Sequence, residues 1–248
     1  MGNQIVIPAS KDWWSSVLNS KNYLVKGQIH GGSLFLKFIC TDKLKRDQLL
    51  VKAYQSEHLS TIPYYDLIKK YFEILSKSDI PMVRFFDIIE NPDSVFFIRR
   101  KFGQPLSDVI SQEPSLFPEE KFWITYQLFV ALDAIHKINI FHGDLKPNNI
   151  LFVPSGRVYI VDPAPFKPYA LDQYHPHYYY YFFANDDSSG CFLAPERIIG
   201  SLSLSSPDNN IPVSDLISSD LFSLGCIIAY MYLNGEPLFT LDAVRRYG

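Results

Sequence analysis

The chain has 248 residues, 47% of them hydrophobic, and a formal net charge of −3, enough apolar material for one large domain or two small lobes. That balance excludes a compositionally disordered chain and lacks the basic excess of a dedicated nucleic-acid binder, so no nucleic-acid partner is expected. Cys40, Cys191 and Cys226 form no CxxC pair, which argues against a zinc ribbon or disulfide framework and makes a reducing compartment the default.

Residues 1–22 read as an N-terminal segment. They lack the apolar stretch of a secretory signal, and no run of about 18 apolar residues follows, so the chain is expected to face the cytosol. Met1-Gly2-Asn3-Gln4-Ile5-Val6 exposes Gly2 once Met1 is removed, as N-myristoylation requires, although Val6 stands where Ser or Thr is preferred. Trp13 and Trp14 suit either a membrane interface or packing on a small lobe.

Residues 20–100 read as strands with one helix. Leu34–Ile39 and Leu49–Tyr54 are apolar runs around the charged turn Thr41–Gln48, a β-hairpin. After Pro63, Leu67, Tyr71 and Ile74 fall on one face of a helix spanning Tyr64–Ser76. Met82–Ile89 and Ser94–Ile98 flank the turn Asn91-Pro92-Asp93. From Pro118 the period changes: Ile124, Leu128, Ala131 and Ile135 predict a helix with one buried stripe. Ile150–Val153 and Val158–Val161 then predict a tight hairpin around Pro154-Ser155-Gly156-Arg157. A loop-like stretch containing the aromatic run Tyr178–Phe183 leads to Pro212, and Leu221, Leu224, Ile228 and Met231 mark another buried helix. The expected organisation is a strand-rich unit over residues 23–104 and a helix-rich one over 105–248.

The hairpin carries the chemistry. With its turn as centre, Asn149 and Asp162 are equidistant, so antiparallel pairing brings an amide oxygen and a carboxylate to one end, a donor pair suited to Mg²⁺ with substrate phosphates. Just upstream, Asp144 offers a base and Lys146 a point charge for a phosphate. Each residue alone fits a solvated turn; the combination fits phosphoryl transfer.

His142-Gly143-Asp144-Leu145-Lys146-Pro147-Asn148-Asn149 resembles the catalytic loop of protein kinases. The resemblance implies an α+β, two-lobed kinase fold: a small antiparallel β lobe with one helix, and a larger, mostly helical lobe that stops at Gly248 before its last helices. It also implies roles. Asp144 would accept or orient the substrate hydroxyl proton, Lys146 would stabilise the transferring phosphoryl, and Asn149 and Asp162 would hold Mg²⁺. Lys146, two residues after Asp144, resembles the serine/threonine class. Ala194-Pro195-Glu196 looks like the end of an activation segment, and Asp220 looks like the anchor of the catalytic loop. Val51-Lys52 resembles the strand lysine that pairs ATP (or GTP) phosphates, with Glu73 favoured over Asp66 as its helix partner. Gly27 and Gly32 bound a phosphate-covering loop in which Ile29 stands in place of the second glycine.

Three departures from the kinase pattern matter. Gly143 replaces the arginine that reads a phosphorylated activation loop. Pro163 and Ala164 replace the Phe-Gly that follows the metal aspartate, which predicts a stiff segment. These oddities, with Met1-Gly2-Asn3-Gln4, Phe166-Lys167-Pro168, Tyr181-Phe182-Phe183, Cys191 to Arg197 and Asn234 to Phe239, resemble the protein-kinase-like, myristoylated regulatory subunits of class III phosphatidylinositol 3-kinases. Membership implies partnership with the lipid-kinase catalytic subunit and its autophagy and sorting subunits. It also implies membrane attachment through Gly2 and a cytoplasmic location, peripheral on endosomal, vacuolar or Golgi membranes. Two activities remain open: an active serine/threonine kinase, or a nucleotide-binding pseudokinase scaffold with slow or no transfer.

Overall fold

A computed structural model describes residues 11–29, 35–55, 70, 73–74, 82–83, 85, 87–91, 94–112, 116–164, 167–183, 190–199 and 211–247. In chain order the elements are α1 (Lys11–Ser20), β1 (Tyr23–Ile29), β2 (Leu36–Asp42), β3 (Gln48–Gln55), β4 (Met82–Val83), β5 (Asp87–Asn91), β6 (Ser94–Arg100) and β7 (Gln104–Pro105). There follow α2 (Leu106–Ser111), α3 (Pro118–Lys137), β8 (Ile150–Phe152), β9 (Val158–Val161), β10 (Leu171–Asp172), α4 (His177–Phe182), β11 (Ile198–Ile199), α5 (Val213–Tyr232) and α6 (Leu241–Arg245). The fold is α+β, as the sequence predicts. The chain divides into two compact units, residues 1–61 with 85–101, and residues 62–84 with 102–248.

The first unit is an antiparallel sheet in the order β1-β2-β3-β6-β5. Side chains alternate across a strand, so Phe38 and Cys40 of β2, Leu49, Val51 and Ala53 of β3, and Phe96 and Ile98 of β6 share one apolar face. Trp14 and Leu18, one helical turn apart on α1, cover that face. The Trp14 ring meets Phe96 edge-on at 5.3 Å and is buried. Of the two readings of this tryptophan, packing on the small unit is the one realised.

The second unit holds the sheet β4-β9-β8-β7, the two-stranded parallel pair β10-β11, and the long helices. The predicted stripe on α3 is buried: Ile124, Leu128, Ala131 and Ile135 pack with Leu224, Ile227 and Met231 of α5 and with Ile150 and Ile160 of the hairpin. Pro118 at the first helical position and the Glu120 carboxylate, which accepts from Phe117 N–H at 2.8 Å, start this helix.

Four expectations change. The apolar run Met82–Ile89 splits, with Met82–Val83 pairing parallel to β9 and Asp87 onward pairing β6. The aromatic run is not a loop: α4 buries Tyr179, with Phe183 after it, among Leu171, Cys191, Leu193 and Ile198. On α5, Leu221 is exposed, because the inward face is led by Ser219, Asp220 and Ser223. By length and composition alone α5 could cross a membrane; its inward face instead packs in the core of this unit. Finally, the hairpin pairs Ile150 with Ile160, one position away from the symmetric register, so Asn149 falls opposite Val161. The cause is a three-residue turn, Pro154-Ser155-Gly156, closed by Val153 N–H to Arg157 O at 3.0 Å, with Gly156 in the left-handed region at φ 77°.

Candidate active site

The loop between α3 and β8 is built on Asp220. One carboxylate oxygen accepts the backbone N–H of His142 at 2.8 Å and the ring N–H of His136 at 2.9 Å, and the other accepts Gly143 N–H at 2.9 Å. Burial disfavours the Asp220 charge, but His136, His142 and the two backbone donors hold the carboxyl below its usual range. His142 braces the loop from inside. Its Nε2 faces the Val161 carbonyl at 2.8 Å and its Nδ1 faces Asp144 N–H at 3.2 Å. A carbonyl requires a donor and an N–H an acceptor, so the partners select the neutral Nε2–H tautomer, in line with the downward push of burial on this imidazole. Gly143 sits at φ 72°, in the left-handed region that glycine adopts without strain.

Asp144 is 6% exposed. Its Oδ2 accepts from Lys167 Nζ at 2.6 Å and from Asn149 Nδ2 at 3.1 Å, with Lys146 Nζ at 3.4 Å. Burial alone would raise this carboxyl, but Lys146 and Lys167 hold it at about 2. Lys167 is pulled the other way: burial lowers it to about 8 despite Asp144. Asn149, in a 3₁₀ turn opened by Pro147, also donates from Nδ2 to the Asp144 carbonyl at 2.7 Å. Both bonds use Nδ2, which leaves Oδ1 as the atom Asn149 can offer a cation. Asp162 follows the Val161 carbonyl held by His142 and is buried in a left-handed backbone conformation at φ 61°. Ala164 has no such strain; its N–H donates to His142 O at 2.8 Å, so alanine suffices where kinases carry glycine.

The structure therefore brings Asp144, Lys146 and Asn149 together and places Asp162 beside the brace of their loop. Lys52 lies in the first unit on β3, paired with Lys37 of β2 and Phe97 of β6 on the face opposite Trp14, its Nζ 5.8 Å from the Phe35 ring. Gly27 lies within β1, next to an irregularity between Val25 and Gly27, where a Cβ would meet nothing. Glu73 is exposed in a helical turn. Gly2 and Gly32 lie outside the described residues.

The family model for the protein kinase domain matches residues 23–246. The chain belongs to the protein kinase domain family. It is 29% identical over its whole length to the serine/threonine-protein kinase VPS15 of Arabidopsis thaliana, covering 17% of that protein. It is 30% identical, again over its whole length, to the probable serine/threonine-protein kinase vps15 of Dictyostelium discoideum, covering 12% of it. With the putative serine/threonine-protein kinase VPS15 of Komagataella pastoris it shares 35% identity over 68% of this chain and 12% of the relative. The chain thus spans less than a fifth of the length of these curated relatives.

Two buried cations packed against this loop escaped sequence reasoning, which quoted them only as family signatures. One is Lys167. The other is Arg197, directly after Ala194-Pro195-Glu196 and 2% exposed. Its guanidinium donates to Tyr169 O at 2.7 Å, Gly143 O at 2.8 Å and Pro168 O at 3.2 Å, and lies over the Tyr169 and Phe183 rings at 5.4 and 5.0 Å. It ties the loop from His142 to Asn149 to the segment after Asp162. A lysine has no planar fork to serve three carbonyls. Arg197→Lys is expected to cost about 2 kcal/mol through unsatisfied buried acceptors, a fall in Tm of about 4–8 °C by calorimetry.

Proposed function

We propose that this domain binds a Mg²⁺-nucleotide and transfers the ATP γ-phosphoryl group to a serine or threonine hydroxyl. It would do so as part of a regulatory subunit of a class III phosphatidylinositol 3-kinase, in endosomal and vacuolar sorting and autophagy. The observation that carries the reading is the Asp144 carboxylate, fixed by Asn149 and the His142 brace within a loop that also presents Lys146. The donor set fits the metal: Asn149 Oδ1 and the Asp162 carboxylate are hard oxygen ligands, and Asn149 is oriented through Nδ2. When bound there, Mg²⁺ supplies charge neutralisation for the phosphates. In the reaction the substrate oxygen bonds to the γ-phosphorus as the bond to the β-phosphate oxygen breaks; ADP leaves with that electron pair, and the hydroxyl proton passes to Asp144. Lys146 offsets the charge on the transferring group. By the family resemblance alone, Lys52 would engage the α and β phosphates, Glu73 would be the helix glutamate of the kinase pattern, and Gly27 and Gly32 would flank the covering loop. Gly2 myristoylation, the peripheral endosomal, vacuolar or Golgi location, and the catalytic, autophagy and sorting subunits as partners belong to this proposal through the family resemblance.

A second reading, a nucleotide-binding scaffold with slow transfer, is favoured by the contact of Lys167 with Asp144. Nucleotide binding is common to both. Mg²⁺ with ATP or GTP at about 100 times Kd stabilises a folded binder by about 2.7 kcal/mol, which raises Tm by about 5–10 °C for a chain of this size. Absence of a shift with either nucleotide removes both readings.

A further inference from the structure

Among the described residues, two lysines contact the Asp144 carboxylate directly, and Lys167 is the one that the proposed reaction does not use. Its side chain and that of Asp144 are 9% and 8% exposed, and they meet at 2.6 Å. The contact is held from behind. Lys167 Nζ lies 4.9 Å from the centre of the Phe183 ring, a ring that also carries Arg197, and the Phe183 carbonyl accepts from Lys146 Nζ. Phe183 is itself 4% exposed, at the end of α4. One aromatic residue therefore fixes both lysines that flank the carboxylate. The Lys167 backbone N–H, bonded to Ala164 O at 3.1 Å, sets where the side chain starts. An ion pair with the same 2.6 Å separation, Lys137 with Asp133, is exposed at 72% and 62%, and water competes freely for it. The Lys167 pair has no such competition.

An incoming hydroxyl has to donate its proton toward Asp144. We propose that the acceptor is Oδ2, the oxygen that Asn149 also orients, and that Lys167 occupies it from within the chain, so that transfer requires the ammonium to leave Asp144 first. Lys167 is thus a residue that sets the rate of transfer without taking part in it. The idea rests on the phosphoryl-transfer reading and accounts for the second one: the base is present and oriented, and covered. Release of Lys167 and repacking of Phe183 belong together, because the ring contacts of Lys167 and Arg197 converge on one side chain. The segment from Lys167 to Phe183 is then the element whose rearrangement uncovers the base.

The test uses the full-length protein. Lys167→Met should raise transfer to a serine peptide about tenfold or more, because the hydroxyl no longer displaces a charge-assisted hydrogen bond, with the affinity for Mg²⁺-ATP unchanged. Lys167→Arg, which keeps the charge, should stay at the wild-type rate. Should Lys167→Met fail to fold, Lys167→Gln, which keeps a neutral donor, is read in its place. The double variant Lys167→Met, Asp144→Asn should fall to the rate of Asp144→Asn alone, which places the gain at this carboxylate. Amine acylation followed by mass spectrometry reads the contact without turnover: Lys167 should react far more slowly than Lys137 in the wild-type protein and faster in Asp144→Asn. Transfer by Lys167→Met no faster than wild type, including none from either, overturns the proposal, as does acylation of Lys167 at the rate of Lys137. Loss of nucleotide binding by the wild-type protein is a different failure, since it removes the phosphoryl-transfer reading and leaves the acylation pattern intact.

Discussion

Asp220→Ala is expected to lower the stability of the second unit by about 3–5 kcal/mol, the range for removing one partner from a buried, hydrogen-bonded charge cluster. The count of donors sets the size. His142 N–H, Gly143 N–H and the His136 ring all lose their acceptor in an interior that water does not reach, and each orphaned buried donor costs about 1–3 kcal/mol before relaxation. Asp220→Asn should fall between the two, because one oxygen remains while the new amide N–H₂ group faces donors. Calorimetry should show a fall in Tm of about 10 °C for the alanine variant. The loop should loosen as well: hydrogen exchange at His142 and Gly143 should accelerate in either variant. A Tm within about 2 °C of wild type would mean that other contacts carry the loop.

How far the sequence could be read follows from the range of the contacts involved. The stripe on α3 was legible because Ile124, Leu128, Ala131 and Ile135 repeat at helical spacing and bury together. The kinase loop was legible because its residues lie within eight positions, and local spacing carries the chemistry. The hairpin was legible except for its register, which a left-handed glycine at position 156 moved by one. Helix α1 had too few turns to declare a stripe beyond Trp14 and Leu18. Helix α4 consists almost wholly of aromatic residues, so no polar face marks its period. The contacts of Lys167 with Asp144 and of Arg197 with Gly143 span 23 and 54 residues. Both cations sit in runs that read as loop, and nothing in their neighbours says that a guanidinium or an ammonium is to be buried.

Asp144→Asn is expected to reduce phosphoryl transfer by about 10²–10⁴-fold, the usual contribution of a positioned general base, measured in both the wild-type and the Lys167→Met backgrounds. Asparagine keeps the shape and its oxygen can still accept from Asn149, but it gives up the charge that holds Lys167 and cannot take the hydroxyl proton. Mg²⁺-nucleotide affinity should hold within a few-fold, because Asn149 Oδ1 and Asp162, not Asp144, form the proposed ligand pair. The pH dependence separates the two roles of this carboxylate. Burial raises its pKa and the two lysines more than offset that, leaving it at about 2 in the folded protein against an ordinary value near 4. A folded value below the unfolded one means stability that is fully present above about pH 4 and lost as the pH falls toward 2. Acid unfolding of the wild-type protein should therefore include a component in that window which Asp144→Asn lacks. Between pH 5 and 8 the carboxylate stays ionised, so its protonation cannot shape the transfer rate there. A wild-type rate that falls with an apparent pKa near 6 and does so equally in Asp144→Asn would assign proton acceptance to another group.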